Sequence, residues 1–499
     1  MLSPADVFLS DERKEVTGWR LILGYLGVTV EVVGAFCFVP LITLFFYPDE
    51  IGYAKDFIIP GALALTAGYM LSLFIKGNPV KRLEKHQDAL LIVLAWIIMI
   101  VICAMPYLMS GDYNFIQSLF EATSGFTTTG LSVVDVASAP HIILLYRSLT
   151  LFIGGVGLVL VITSVLSDRY GMRLYSAEGH SDKLLPNLVK SARLILLIYL
   201  LYIVIGVIAY VIFGMPVFDA FNHSIAAVST GGFSTEVDSI GAYHSLAIEI
   251  VTMALMLLGA TNFFVHLQLL KGRIANVLRH GEMILLLALI ALGLPVFVAT
   301  LIIDSGYGFG EALRIGSFQL ISAITTTGFQ TVASFRTLSG IFNGFVIVLM
   351  LIGAGIGSTG GGIKQQRVLI SLKSIVRNIR ANIANHRKLT TIFLNKAGTK
   401  SVLEEHEKND AVSFVLLYLI IFIVGSLIFT AYGYPLGDAM FEFASSLGTV
   451  GLSVGITGFS APNGILLTSI FGMFVGRLEI MVILYAFARC FGAMRKRAA

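Results

Sequence analysis

Charge is the scarcest commodity in this chain. Only 13% of its 499 residues are Asp, Glu, Lys or Arg, while 56% are hydrophobic and the mean hydropathy is +0.87. A soluble domain carries about 25% charged residues and cannot hide this much apolar surface, so the composition excludes soluble and disordered classes. It points to a polytopic membrane protein. Cysteine is nearly absent. Cys37, Cys103 and Cys490 all lie in apolar stretches, which excludes a disulfide framework or a zinc-binding spacing and leaves them as buried small hydrophobes. The nine histidines form no ligand set. No nucleophile, acid pair or metal set stands out among the polar residues, which argues against a membrane enzyme.

Long apolar runs are what the chain does have. Ten are long enough to cross a bilayer, at 20–46, 57–76, 88–109, 141–166, 189–213, 243–270, 282–303, 341–375 (interrupted), 411–432 and 463–491. The first lacks a small-residue cleavage site and is expected to be a retained helix. Four shorter pieces, 114–126, 216–228, 311–324 and 436–447, lie between them. A helix of about 12 residues rises about 18 Å, enough to dip into a bilayer and not to cross it.

Each short piece runs into one Thr/Gly motif. The four are Thr127-Thr128-Thr129-Gly130, Ser229-Thr230-Gly231-Gly232, Thr325-Thr326-Thr327-Gly328 and Gly448-Thr449-Val450-Gly451, each followed by Leu or Phe. The last glycines recur at separations of 102, 96 and 123 residues (Gly130 to Gly232, to Gly328, to Gly451). A fourfold repeat of this kind predicts an all-α membrane protein: four units of span, half-helix, loop and span around one pore. The expected divisions are an N-terminal helix pair over 1–87, then units over 88–193, 194–281, 282–410 and 411–499. One Thr-x-Gly alone means little, because small residues commonly mediate helix packing in membranes.

Basic residues set the expected orientation. Of the 34 Lys and Arg, 29 fall in segments that a single topology places on one side. The positive-inside rule makes that side cytoplasmic, with both termini and the 364–410 segment inside and all four loops opening outward. The outer side then carries about 14 acids, among them Asp112, Asp135, Asp219, Glu236, Asp238, Glu311, Asp438 and Glu442. Such a vestibule concentrates cations, although exposed loops also need some charge of whichever sign is left to them.

Irregular backbone at membrane depth must be buried in protein or line water. Four loops meeting on an axis present carbonyl oxygens that replace the hydration shell of a monovalent cation. Glycine supplies the backbone angles closed to other residues. The Thr two residues earlier adds a hydroxyl at the inner end. Each half-helix aims its negative C-terminal end at the cavity. Asp219 and Asp438, 13 residues before Gly232 and Gly451, suit the positive ends and are expected to cap them.

This arrangement resembles the superfamily of K+ transporters that includes bacterial Trk and Ktr proteins and the plant and fungal HKT and Trk proteins. The extra N-terminal pair resembles the TrkH/TrkG branch of the bacterial Trk potassium uptake system. Further matches are Glu121-Ala122-Thr123-Ser124-Gly125-Phe126, Arg147-Ser148-Leu149 with Gly154-Gly155, the segment 353–364, and Gly476-Arg477-Leu478-Glu479. In this superfamily, Gly at all four filter positions accompanies K+ conduction, while Ser in the first accompanies Na+-permeable relatives. The resemblance therefore implies K+ as the transported ion. The second and fourth loops depart from Thr-Thr-Thr-Gly at Gly231, Gly448 and Val450, where selectivity peculiar to this chain is expected.

Gly353, Gly355, Gly357, Gly360, Gly361 and Gly362, with Ser358 and Thr359, break an apolar span. At about 1 kcal/mol per Gly in a helix, six argue for an intramembrane loop; no strand or Walker spacing supports a phosphate cradle. The segment resembles the family's gating loop. Arg477, in an otherwise apolar span, costs about 2.5–3.5 kcal/mol at mid-helix and should face a cavity or partner; the expectation is an electrostatic barrier at the gate. Glu479 could neutralise it, although i and i+2 on one helix do not face each other, and a neighbouring helix is the alternative. Glu31, His223 and His266 read as packed polar groups. The resemblance also implies a homodimer in the bacterial inner membrane and a TrkA-type cytoplasmic nucleotide-binding ring. Some of the 364–410 face should lie near lipid head groups. Neither a nucleotide site nor a nucleic-acid-binding segment is evident. A Na+-permeable or K+/Na+ (or K+/H+) co-transporting protein of the same superfamily stays open, as does channel against symport.

Overall fold

The computed structural model describes residues 18–75, 87–157, 188–383, 391–396 and 399–488. Within them the regular secondary structure is helical apart from one small hairpin. Helices α1 (Gly18–Phe36) and α2 (Ala54–Ser72) form the N-terminal pair. They pack backbone to backbone: a Cβ on Gly27 would lie 2.4 Å from Ser72 N, and one on Gly68 would lie 2.6 Å from Glu31 N. Small residues allow this approach where no hydrophobic force drives helices together. Glu31, at the same contact, accepts a hydrogen bond from Ser72 Oγ at 2.5 Å.

Helix α3 (Gln87–Ser110) is followed by the short α4 (Phe115–Phe126) and then by α5 (His141–Val156). The pattern recurs with α6 (Leu188–Ile212), short α7 (Val217–Val228) and α8 (Leu246–Gly259). After α9 (Phe263–Leu270) and α10 (Ile274–Leu278) come α11 (Gly281–Ser305), short α12 (Phe309–Ile324) and α13 (Gly340–Ile352). Helix α14 (Gln365–Ile383) leads to the antiparallel pair β1 (Phe393–Lys396) and β2 (Thr399–Val402), in register Leu394↔Ser401. Last are α15 (Glu405–Ala431), short α16 (Leu436–Gly448), α17 (Asn463–Arg477) and α18 (Ile480–Ala488).

Among the described residues, five helices are long and apolar enough to cross a membrane, or seven if two bent pairs each count as one span. Two of the ten expected spans are bent, and a third is interrupted as the sequence led us to expect. The run 243–270 bends by 109° between α8 and α9, and 463–491 bends by 97° between α17 and α18. The run 341–375 gives way to non-helical chain after Ile352 until Gln365. In 141–166 the helix stops at Gly157 (φ 95°), and the remainder lies outside the described residues. Asn262 explains the first bend: its Oδ1 accepts from Phe264 N at 2.7 Å and starts a new helix.

The N-terminal pair is fastened to this framework at one end. Glu50 accepts from His141 N at 2.8 Å and Ile142 N at 2.9 Å, capping α5 from outside its own chain segment. Tyr47 stacks on the His141 ring at 3.7 Å.

Candidate functional site: a ring of four Thr/Gly loops

Local sequence dictates one conformation four times. Each short helix ends just before its motif or, for the fourth, at its first residue Gly448, and the residue preceding the last glycine donates to a carbonyl five residues back. These bonds are Thr129 N to Ser124 O (2.9 Å), Gly231 N to Ala226 O (2.9 Å), Thr327 N to Ser322 O (3.0 Å) and Val450 N to Ser445 O (2.9 Å). To turn so sharply, Thr128, Thr230, Thr326 and Thr449 take φ of 55°, 52°, 55° and 50°. That region is hostile to β-branched residues and costs about 1–3 kcal/mol each; such strain clusters at functional sites. Gly130, Gly232, Gly328 and Gly451 also have positive φ.

The loops close on each other in cyclic order. A Cβ placed on Gly130 would meet Gly231 O at 2.2 Å, on Gly232 Thr327 O at 1.9 Å, on Gly328 Val450 O at 2.0 Å, and on Gly451 Thr129 O at 2.3 Å. Each glycine thus lies against the carbonyl that precedes its neighbour's glycine, and no side chain fits between. Each of these loops follows the C-terminus of its helix, the end that favours a cation. All of Thr127, Thr128, Thr129, Thr230, Thr325, Thr326, Thr327 and Thr449 are buried. Thr127 and Thr129 pair through their hydroxyls at 2.7 Å, as do Thr325 and Thr327 at 2.9 Å. Ser229/Gly231 and Gly448/Val450 have no such hydroxyl pair to make. A Cβ on Gly231 would strike Leu151, so the departures from the motif fall behind the loops.

On one face of the ring lies a cavity of about 300 Å³, lined by the four glycines, Arg147 and Glu236 among others. Of the acids expected at this mouth, Glu236 alone lines the cavity. Burial lifts its carboxyl above the usual range, and Asp219 and Asp238 add to the effect. The others have different tasks: Glu442 is fully buried, Asp438 pairs with Arg336 at 3.7 Å, and Asp219 accepts from Thr235 Oγ1 at 2.7 Å. Asp219 and Asp438 sit in the first turns of α7 and α16; the capping positions are Pro216 and Pro435, which corrects the expected caps.

On the opposite face, the glycine-rich segment lies directly against the ring. Gly361 N donates to Thr326 Oγ1 at 2.8 Å, and Thr359 Oγ1 lies 3.1 Å from Thr230 Oγ1. A Cβ on Gly361 would sit 2.1 Å from Thr449 Oγ1. Glycines at Gly353, Gly357 and Gly362 have positive φ, and Gly360 packs against Thr325 O. Gly355 N donates to Ala260 O at 3.1 Å, and Ser358 Oγ to Gly355 O at 2.6 Å, so the segment rests on the α8–α9 bend. Only about 20 Å³ of space remains there, beside Gly360, Gly361 and Arg477. One water needs about 10–15 Å³ on this measure, so this space holds little more than a single water.

Arg477 ends α17 rather than lying at mid-helix. It donates to Thr359 O at 2.7 Å and to Gly154 O, tying the glycine-rich segment to α5. Glu479, the candidate neutraliser two residues on, pairs with Arg367 on α14, beyond the 97° bend. Lys364, which the sequence reading passed over, donates to Gly360 O in the same cavity. Arg147, part of the matching segment Arg147-Ser148-Leu149, takes a role here that the segment alone did not show. Its Nε donates to Glu121 Oε1 at 2.8 Å, its Nη2 to Ser132 Oγ at 2.9 Å and its Nη1 to Ser234 O at 3.2 Å, which joins the first two loops. Arg147 is almost completely buried. His266 bonds Tyr202 and Leu258 O, as a packed polar group does.

Fold and ring together define a multi-pass membrane transport protein. A family model described as TrkH, cation transport protein, matches residues 61–491, and the chain belongs to that family. It is a family of transporters and not of enzymes. The chain is 32% identical over 426 residues to the Trk system potassium uptake protein TrkG of Escherichia coli, covering 82% of this chain and 86% of that protein. It is 30% identical over 486 residues to an uncharacterized cation transporter of Methanocaldococcus jannaschii, covering 95% and 96%. The crystal structure of the potassium transporter TrkH from Vibrio parahaemolyticus aligns with TM-score 0.81 at 25% identity, over 93% of this chain and 98% of that one.

Proposed function

We propose that the protein takes up K+ across the cytoplasmic membrane through the Thr/Gly ring, as a Trk-type uptake protein. The observation that carries this reading is the cyclic contact of Gly130, Gly232, Gly328 and Gly451 with their neighbours' carbonyls. Backbone oxygens at the C-terminal ends of four short helices offer a dehydrated monovalent cation a substitute for water. The names of the relatives, Trk system potassium uptake proteins TrkG and TrkH, support K+ as the ion. The 300 Å³ cavity is then the outer mouth, and the glycine-rich segment 353–362 with Arg477 is the closed gate beneath the filter.

The same reading includes four pore units after an N-terminal pair, termini in the cytoplasm, a homodimer, and control by a TrkA-type nucleotide-binding ring on the cytoplasmic side. A Na+-permeable or co-transporting variant of this function is disfavoured by glycine at all four filter positions. Complementation of a K+-uptake-deficient bacterium at low external K+ tests the proposal. Growth is expected with the wild-type chain and not with Gly232→Asp, whose side chain would collide with Thr327 O. Equal growth of the two would remove the filter from the account.

A further inference from the structure

The residue nine positions before each filter glycine reaches back to the segment that follows that glycine. In the first loop Glu121 accepts from Val133 N at 2.9 Å and from Ser132 Oγ at 3.0 Å, and Arg147 locks it in place. In the fourth, Glu442 accepts from Val454 N at 2.9 Å, Thr457 N at 2.9 Å, Ser453 Oγ at 2.7 Å and Thr457 Oγ1. Val133 and Val454 occupy the same place, three residues past their glycines. In the second loop the equivalent residue is His223. Its Nδ1 faces Asp219 O at 2.9 Å and therefore carries the proton, which leaves Nε2 to accept from Ser234 Oγ at 2.9 Å. In the third it is Gln319, whose Nε2 donates to Thr331 Oγ1 at 3.3 Å and whose Oε1 has no partner. All four side chains are buried.

We propose that these four residues are struts that set the selectivity of the filter, and that they do so unequally. The inference rests on the reading of the ring as a K+ filter. Glu121 and Glu442 each grip backbone N–H groups as well as hydroxyls, and hydrogen bonds to a carboxylate are short and strong. The loops they hold are neighbours in the ring, since Gly451 lies against Thr129 O. They form its fixed half. His223 and Gln319 each hold one hydroxyl of the loop beyond. The backbone there is held at Ser234 O by Arg147 and at Phe329 O by Ser322 Oγ, but no carboxylate grips it, so the second and third loops form the more compliant half. A cation smaller than K+ is rejected only if the carbonyls cannot move inward to meet it; the fixed half supplies that resistance.

The test is the Na+/K+ permeability ratio of the purified full-length protein in liposomes, with any activating partner that basal flux requires. Glu442→Gln keeps the shape of the side chain but turns a donor toward donors; it is expected to raise the ratio at least about threefold. Thr457→Val removes hydroxyl donation alone, disturbs packing least, and is expected to move the ratio the same way by a smaller factor. Gln319→Ala is expected to move it less than either. A residue that merely supports folding lowers the yield of protein and leaves the ratio of what survives at the wild-type value. Unchanged ratios in both Glu442→Gln and Thr457→Val, or a shift in Gln319→Ala as large as that in Glu442→Gln, would overturn the proposal. Absence of any K+ flux in the wild type removes instead the underlying filter reading, a separate outcome.

Discussion

Arg477 shows what one residue contributes when its position at a helix end is known. Its two donations to backbone carbonyls hold the glycine-rich segment under the ring. A hydrogen bond from a charged donor contributes about 1.5–3 kcal/mol, so Arg477→Ala should raise basal cation flux in liposomes about tenfold or more. Unchanged flux would remove its part in closure. Glu236 carries a second prediction. Its raised carboxyl loses charge at a higher external pH than an ordinary glutamate does. As pH falls through that range, the mouth loses negative charge and the apparent affinity for K+ should fall. Glu236→Gln should give the low affinity at every pH, measured as tracer uptake against K+ concentration. The sequence made the polar quartet and Arg477 legible, because each is conspicuous in so apolar a chain. It did not show that Glu479 belongs to Arg367 or that Arg147 is buried, since both depend on which helices meet.

At the scale of elements, the four short helices and the glycine-rich break were readable from length and composition. Twelve apolar residues cannot cross a bilayer, and six glycines cannot remain a helix. The bends at 260–262 and 478–479 were not readable from hydropathy, which records how apolar a run is and not its direction. Asn262 before an apolar helix was the available cue for one; Glu479, at φ 61°, offered none. The first of these bends supports the glycine-rich segment proposed as the gate, since Gly355 N and Thr359 N donate to Ala260 O and Gly259 O. Deleting 355–361 should therefore increase flux, and loss of flux in folded protein would argue against a gate. The cap on α5 is separately testable. Glu50→Ala should cost about 1 kcal/mol, seen as a lower thermal midpoint in detergent, with no change in ion preference.

The whole molecule places a strained, glycine-lined ring between an open cavity of about 300 Å³ and a confined space of about 20 Å³. The N-terminal pair is fastened to it through Glu50 and Tyr47. Membership of the TrkH cation transport family agrees with that architecture over residues 61–491. On the proposed function, the carbonyls of Thr129, Gly231, Thr327 and Val450 bind the transported ion. Anomalous scattering from crystals grown with Rb+ or Tl+ measures this directly. The account predicts a peak on the ring axis, level with those four oxygens and lost when Na+ replaces the heavier ion. A Rb+- or Tl+-loaded crystal with no peak inside the ring, or with ions only at Glu236, would contradict it.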